Sequence, residues 1–226
     1  MCTVSVVPTT AGFRLTCNRD EQRTRPVARP PASHRLGQVT ALWPLDPAGG
    51  GTWIGVNDAG IATVLLNRCP SPRRLQRQPD VSRGSIIPAL LRCRSIESVV
   101  HAANRLRLAR FAPFTLVIVQ NRLVLSMTSV DGQGEWRSFA TSQPRLFTSS
   151  SLGDERVAGP RRRLFERMVE RSRFPLAAQL AFHRHAWPAR PEISVLMSRD
   201  DAATVSRTIV DVDARSIRMA YLPLAA

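Results

Sequence analysis

Met1-Cys2-Thr3-Val4-Ser5-Val6-Val7, then Pro8-Thr9-Thr10-Ala11-Gly12, then Phe13-Arg14-Leu15-Thr16-Cys17-Asn18-Arg19-Asp20-Glu21 is the stretch on which the fold turns. Two short, alternating, β-branched segments flank a proline- and glycine-bearing link, which predicts an antiparallel hairpin at the head of the chain. The small side chain of Cys2 permits removal of Met1, so the mature chain is expected to carry a thiol and a free α-amine on one residue. Such an amine titrates at about 7.7–8.0 and can accept a proton near neutrality. A nucleophile with its own base is a workable catalytic unit. Pairing Val7 with Phe13 sets Cys2 opposite Asn18, and a slip of one residue exchanges which of Asn18, Arg19 and Asp20 shares its face. Either register brings an arginine and an aspartate within reach of the thiol.

Outward from the hairpin, Glu21 to Gly51 is rich in proline and arginine and reads as a long ordered loop with one short strand at Val39–Trp43. Long loops of this kind often form lids or binding walls. A second hairpin follows, Thr52–Val56 and Ile61–Leu66 about the turn Asn57-Asp58-Ala59-Gly60, with Asn67 at the strand end. Pro70 to Pro79 reads as a basic loop. Ser82 to Leu108 has helical spacing in two pieces, with Ser85 and Ser95 as caps and Ile96, Val99, Val100, Ala103 and Leu106 on one face. Phe114–Val119 and Leu123–Thr128 form a hairpin, and strands are expected at Glu135–Ala140 and Arg145–Thr148. Helices at Pro160–Arg171 and Pro175–Phe182 precede strands at Ile193–Met197, Val205–Val212 and Ser216–Leu222. The pattern is α+β: two antiparallel sheets face to face between helical layers, in one domain over residues 1–226.

Composition narrows the function. The 226 residues carry a formal charge of +15, and all 32 basic residues are arginine. Absence of lysine excludes a P-loop and Schiff-base chemistry. The arginines are dispersed, and the Arg161-Arg162-Arg163 run reads as a solvated helix face, so no specific nucleic-acid partner is expected. No apolar run reaches the length of a membrane span, and no signal peptide is discernible. Cys2, Cys17, Cys69 and Cys93 lack Cys-x-x-Cys spacing. The expectation is reduced thiols in a cytoplasmic protein without a metal site, with the last three as small core residues.

The Asn18-Arg19-Asp20-Glu21 run after Met-Cys resembles the NRDE family, which includes the transport-and-Golgi-organisation proteins. The resemblance continues through Arg25-Pro26, Gly50-Gly51-Thr52-Trp53-Ile54-Gly55, Asn67-Arg68, Ser82-Arg83-Gly84 and Thr204-Val205-Ser206-Arg207-Thr208. It implies a four-layer αββα sandwich like that of the N-terminal nucleophile (Ntn) hydrolases of the penicillin V acylase and bile-salt hydrolase type. It further implies hydrolysis of a linear amide. Cys2 would be the nucleophile, Arg19 the neighbouring cation that favours thiolate, and Asp20 the partner of the α-ammonium. Asn67 would be an oxyanion donor, and Asn18 and Trp53 would adjoin the substrate. Ser149 and Ser150 stand where related amidases place a second asparagine, and Arg207 is the counterpart of their distal arginine. The alternative implied by the family is haem trafficking without catalysis. For that role the His183-Arg184-His185-Ala186-Trp187 segment offers two imidazoles.

Overall fold

The computed structural model describes residues 2–69, 80–140 and 142–224. Met1, the expected Pro70–Pro79 loop and the Arg73-Arg74 pair lie outside the described residues.

The opening hairpin forms as expected: β1 (Cys2–Pro8) and β2 (Gly12–Gln22) are antiparallel, closed by Thr9 N–H donating to the Gly12 carbonyl at 2.9 Å. Its register is the slipped one. Pro8 pairs with Phe13, which sets Cys2 opposite Arg19 and Thr3 opposite Asn18. A shorter turn makes the difference, and period-two alternation then carries it along both strands. β1 is an interior strand of a five-stranded antiparallel sheet, ordered β10 (Arg145–Thr148), β1, β2, β11 (Ala202–Asp213), β12 (Ile217–Pro223).

The second sheet has seven antiparallel strands in sequence order: β3 (Arg29–Leu36), β4 (Val39–Leu45), β5 (Ile54–Asn57), β6 (Ala62–Asn67), β7 (Phe114–Gln120), β8 (Leu123–Val130) and β9 (Gln133–Ala140). The expected long loop between Glu21 and Gly51 therefore contains a hairpin. Pro30 and Pro31 are tolerated because β3 is an edge strand, and its register shifts between Arg29 and Ala32 where the prolines interrupt pairing. The β7–β8 turn places Asn121 at φ 53°, a left-handed conformation that asparagine accepts readily.

Alternation sorts the core into layers. Cys2, Val4, Val6, Phe13, Leu15 and Cys17 face inward against Ile54, Val56, Val64 and Leu66 of the second sheet. The outer face of that sheet, including Ile61, Leu65 and Leu116, packs on α1 (Ile86–Leu90) and α2 (Ile96–Asn104). Ser95 caps α2 through a reciprocal pair with Ser98. Ser85 makes no side-chain cap; Ser82 caps the short 3-10 turn before α1 instead.

The outer face of the first sheet meets α3 (Asp154–Phe165) and α4 (Pro175–Arg184) through Val7, Leu164, Phe165, Val169 and Phe182. α3 begins at Asp154, ahead of the expected Pro160, and continues through a π turn at Glu166–Glu170. The result is the expected αββα sandwich. Ile193–Met197 is no strand: a 3-10 turn, Pro191–Ile193, leads into a bent segment that is tied back by single hydrogen bonds.

The arginine run departs most from expectation. Arg161 is 1 % exposed. Its guanidinium donates to Thr3 Oγ1 (2.9 Å), Thr148 Oγ1 (2.7 Å) and the carbonyls of Ile193 (3.0 Å) and Ser194 (2.7 Å). Only such complete pairing makes a buried guanidinium tolerable. Arg162, by contrast, is half-exposed and pairs with Glu166 and Glu170.

Candidate active site

Cys2 opens onto a cavity of about 190 Å³ at one end of the two sheets. Its position follows from strand ends: β1 starts there, the second half of β2 brings Arg19 and Glu21, β5 is preceded there by Thr52-Trp53, and β6 ends there at Leu65 and Asn67. Two loops close the wall. Gly51 and Gly84 meet backbone to backbone, and a Cβ on Gly51 would collide with the Gly84 main chain. That contact accounts for glycine at both positions and brings Arg83 to the cavity.

Arg19, directly across from Cys2, is fixed from three sides. Its Nη2 donates to Asp46 Oδ2 at 3.0 Å and to Glu21 Oε2 at 3.3 Å, and its guanidinium carbon lies 4.3 Å from the centre of the Trp53 ring. Arg25 completes the network, with Nη2 at 2.7 Å from Asp46 Oδ2 and Nε 3.6 Å from Glu21. Burial alone would push the Asp46 carboxyl up. The Arg25 hydrogen bond and the two guanidinium charges overcome it and hold the group below the usual carboxylate value.

The Cys2 thiol is 3 % exposed and titrates below its ordinary value. Hydrogen bonding to Cys17 is the main cause; burial opposes it, the positive charge of the chain's N-terminus supports it, Asp20 opposes it and Arg19 adds the least. Cys17 is correspondingly pushed well up, chiefly by burial and then by its neighbour Cys2. Ser149 grips the Cys2 backbone on the other side. Its N–H donates to the Cys2 carbonyl at 3.0 Å, and its Oγ accepts from the Cys2 N–H at 3.2 Å.

The expected residues therefore divide. Cys2, Arg19, Trp53 and Asn67 share the cavity, and the Asn67 side chain makes no hydrogen bond among the described residues. Asp20 turns to the helix side, where its Oδ1 accepts from Thr204 Oγ1 at 2.7 Å; burial raises its pKa while Arg161 opposes the shift. Asn18 and Arg207 also lie on the helix side. Asn18 Nδ2 donates to the carbonyls of His183 and Val195, and Arg207 donates to Asn18 Oδ1 and the His183 carbonyl. Their positions anchor α4 to the sheet, away from the cavity expected for a substrate contact. Ser149 serves the Cys2 backbone, and Ser150 is bound at the start of α3, its N–H donating to Asp154 and its Oγ accepting from Leu152 N–H. Neither serine is among the residues that line the cavity.

His183 lies in α4 and is fully buried, with Nε2 2.7 Å from Ser5 Oγ. His185 packs on Trp187 instead. Cys69 and Cys93 are only partly buried, where small core residues were expected.

Glu21, Arg25, Asp46, Arg83 and Cys17 escaped assignment to the site. Arg25 and Arg83 belong to short blocks noted in the sequence, and Cys17 is two residues before Arg19 on the same strand face. Asp46 had no local signal.

A family model, Transport and Golgi organisation 2, matches residues 1–209. No curated protein matches the sequence. Among solved structures, a Caenorhabditis elegans N-acylethanolamine-hydrolyzing acid amidase ortholog aligns over 92% of this chain and 92% of its own, at 13% identity and TM-score 0.59. Penicillin V acylase from Agrobacterium tumefaciens aligns over 99% of this chain and 86% of its own, at 14% identity and TM-score 0.55. A single-residue variant of conjugated bile acid hydrolase from Clostridium perfringens aligns over 98% and 92%, at 12% identity and TM-score 0.54. At these identities the likeness is one of fold.

Proposed function

This chain belongs to the Transport and Golgi organisation 2 family, and from that premise and the geometry of its site we propose that it is an N-terminal cysteine amidohydrolase acting on linear, non-peptide amides. The observation that carries the reading is the Cys2–Arg19 pair. A thiol held below its ordinary pKa opens onto a cavity, directly across the ladder from an arginine immobilised by two carboxylates and an indole ring.

With Met1 removed, the Cys2 α-amine takes the thiol proton as sulfur attacks the amide carbonyl carbon. Asn67 donates to the oxyanion that forms. The C–N bond breaks as the α-ammonium returns the proton to the leaving amine, which leaves a thioester on Cys2. Water, deprotonated by the same amine, then forms the C–O bond and breaks the C–S bond, releasing a carboxylic acid and free enzyme. Ser149 Oγ, within hydrogen-bond distance of the Cys2 nitrogen, orients that amine, with Asp20 as the charge that supports its ammonium form.

The haem alternative draws less support from the geometry. His183 is committed to Ser5 in the helix–sheet interface, and the cavity is small and charged. A panel of N-acyl amides turned over by wild type and Cys2→Ala tests the proposal, alongside intact mass for loss of Met1. Turnover that survives Cys2→Ala, or a chain that retains Met1 and still hydrolyses, overturns it.

A further inference from the structure

The cavity holds five charged side chains, of which four close on one another: Arg19, Arg25, Glu21 and Asp46 form a continuous ion network. Arg83 stands outside it. Its Nη1 donates to the Pro113 carbonyl at 2.7 Å, which fixes the guanidinium in place. Among the described residues no carboxylate lies within ion-pair distance of it, and its other N–H groups have no acceptor. A second donor on a lining residue is unmatched: the Trp53 indole N–H is buried without an acceptor among the described residues. Glu21 acts on Arg83 only through space, from beyond ion-pair distance, and is itself paired with Arg19 and Arg25. A partly buried cation with no carboxylate in contact is costly, and guanidinium presents a planar fork suited to carboxylate.

Size and polarity limit what can meet it. Ligand sites for drug-sized molecules span roughly 300–1,000 Å³ and are mostly apolar; this cavity is about 190 Å³ and is lined largely by charged residues and glycine backbone. A long acyl chain or a polycyclic body finds little apolar surface here to bury, with only Trp53 and Leu65 among the large apolar residues of the lining.

We propose that the substrate is a small amide bearing a carboxylate near the scissile bond, and that Arg83 is the residue that binds this carboxylate and selects for it. The inference rests on the amidohydrolase reading for the word substrate, but the anion site itself does not require turnover. Glu21 and Asp46 do not cancel the attraction, because each already faces Arg19 and Arg25.

The test is alkylation of Cys2 by iodoacetate and by iodoacetamide, two reagents of similar size that differ in charge. Peptide mass spectrometry reads the rate at each cysteine, so Cys69 and Cys93 report the effect of the protein's general positive charge in the same tube. The expected result is an iodoacetate-to-iodoacetamide rate ratio at Cys2 about tenfold above that at Cys93, the scale of one charge-assisted hydrogen-bonded contact. Arg83→Met should bring the two ratios together, and Arg83→Lys, which keeps the cation should the apolar variant misfold, should retain most of the difference. Equal ratios at Cys2 and Cys93 in the wild type, or an unchanged ratio in Arg83→Met, overturn the inference. Failure of the amide panel to show hydrolysis would overturn the amidohydrolase reading without moving these ratios.

Discussion

Cys17 lies one strand over from Cys2 and two positions along the ladder, opposite Val4, and both thiols are buried in the same inter-sheet cluster, where the Cys17 thiol is the chief influence holding the Cys2 pKa down. An influence of this kind favours thiolate at one sulfur and holds the proton at the other. Cys17→Ala should therefore move the midpoint of Cys2 alkylation against pH upward. The wild-type midpoint should fall below the free-thiol value of about 8.5, and an unchanged midpoint in the variant would show that Cys17 is packing alone.

Ser149→Ala removes the acceptor for the Cys2 nitrogen while leaving the Ser149 N–H on the Cys2 carbonyl. On the proposed mechanism kcat should fall about tenfold, the worth of one hydrogen bond of about 1.4 kcal/mol. The unfolding midpoint should move little. Steady-state kinetics beside thermal melting separates the two effects.

Arg161→Met and Arg162→Met form an informative pair. The first strips donors from two threonines and two carbonyls in the buried interface, at a cost of about 3 kcal/mol or more. Thermal denaturation should register it as a loss of roughly 6–12 °C. The second removes a half-exposed side chain and should stay within about 0.5 kcal/mol. Equal losses would contradict the burial described for Arg161.

His183 gives stability a specific pH dependence. Burial, with the nearby charges of Arg207 and Arg161, holds its pKa well below 6.5. The unfolded chain takes up a proton below about 6.5, and the folded chain does not until the lower, folded value is reached. Stability from this residue is complete above about pH 6.5 and is lost as pH falls through that window, by at most about 1.4 kcal/mol per unit. Denaturant titrations from about pH 7.5 to 5, which span that window, should show a shallower decline in His183→Gln, and parallel curves would refute the assignment.

Gly51→Ala drives a methyl group into the Gly84 backbone. Because main chain cannot yield like a side-chain tip, the loops must part, at about 1–3 kcal/mol. Arg83 moves with them. The variant should lose the iodoacetate preference at Cys2 while an alanine at Gly49, which meets only ordinary contacts, should keep it.

What could be read in advance follows from how local each signal is. Strand alternation and helix spacing are properties of neighbouring residues, so the layers and nearly all elements were legible. Register was open because the turn decides it by one residue. β3 was hidden because proline argues against strands except at edges, and edge position is a property of the whole sheet. Arg161 reads as a surface residue because nothing near it announces the acceptors that reach it from Thr3, Thr148, Ile193 and Ser194. Within the site, Cys2, Arg19 and Asn67 were legible from the strands that carry them. The shared helix-side orientation of Asn18 and Asp20, opposite to that of Cys2 and Arg19, follows from the pleat only once the register is known.

The interior place of β1 has a consequence for biosynthesis. Chain ends normally fray, but here Cys2 is gripped by β2 on one side and by Ser149, beyond β10, on the other. An aminopeptidase needs a free, extended terminus, so on the proposed mechanism Met1 should be trimmed fastest before Ser149 takes hold of Cys2. Maturation of the nucleophile is then a race against the completion of its own sheet.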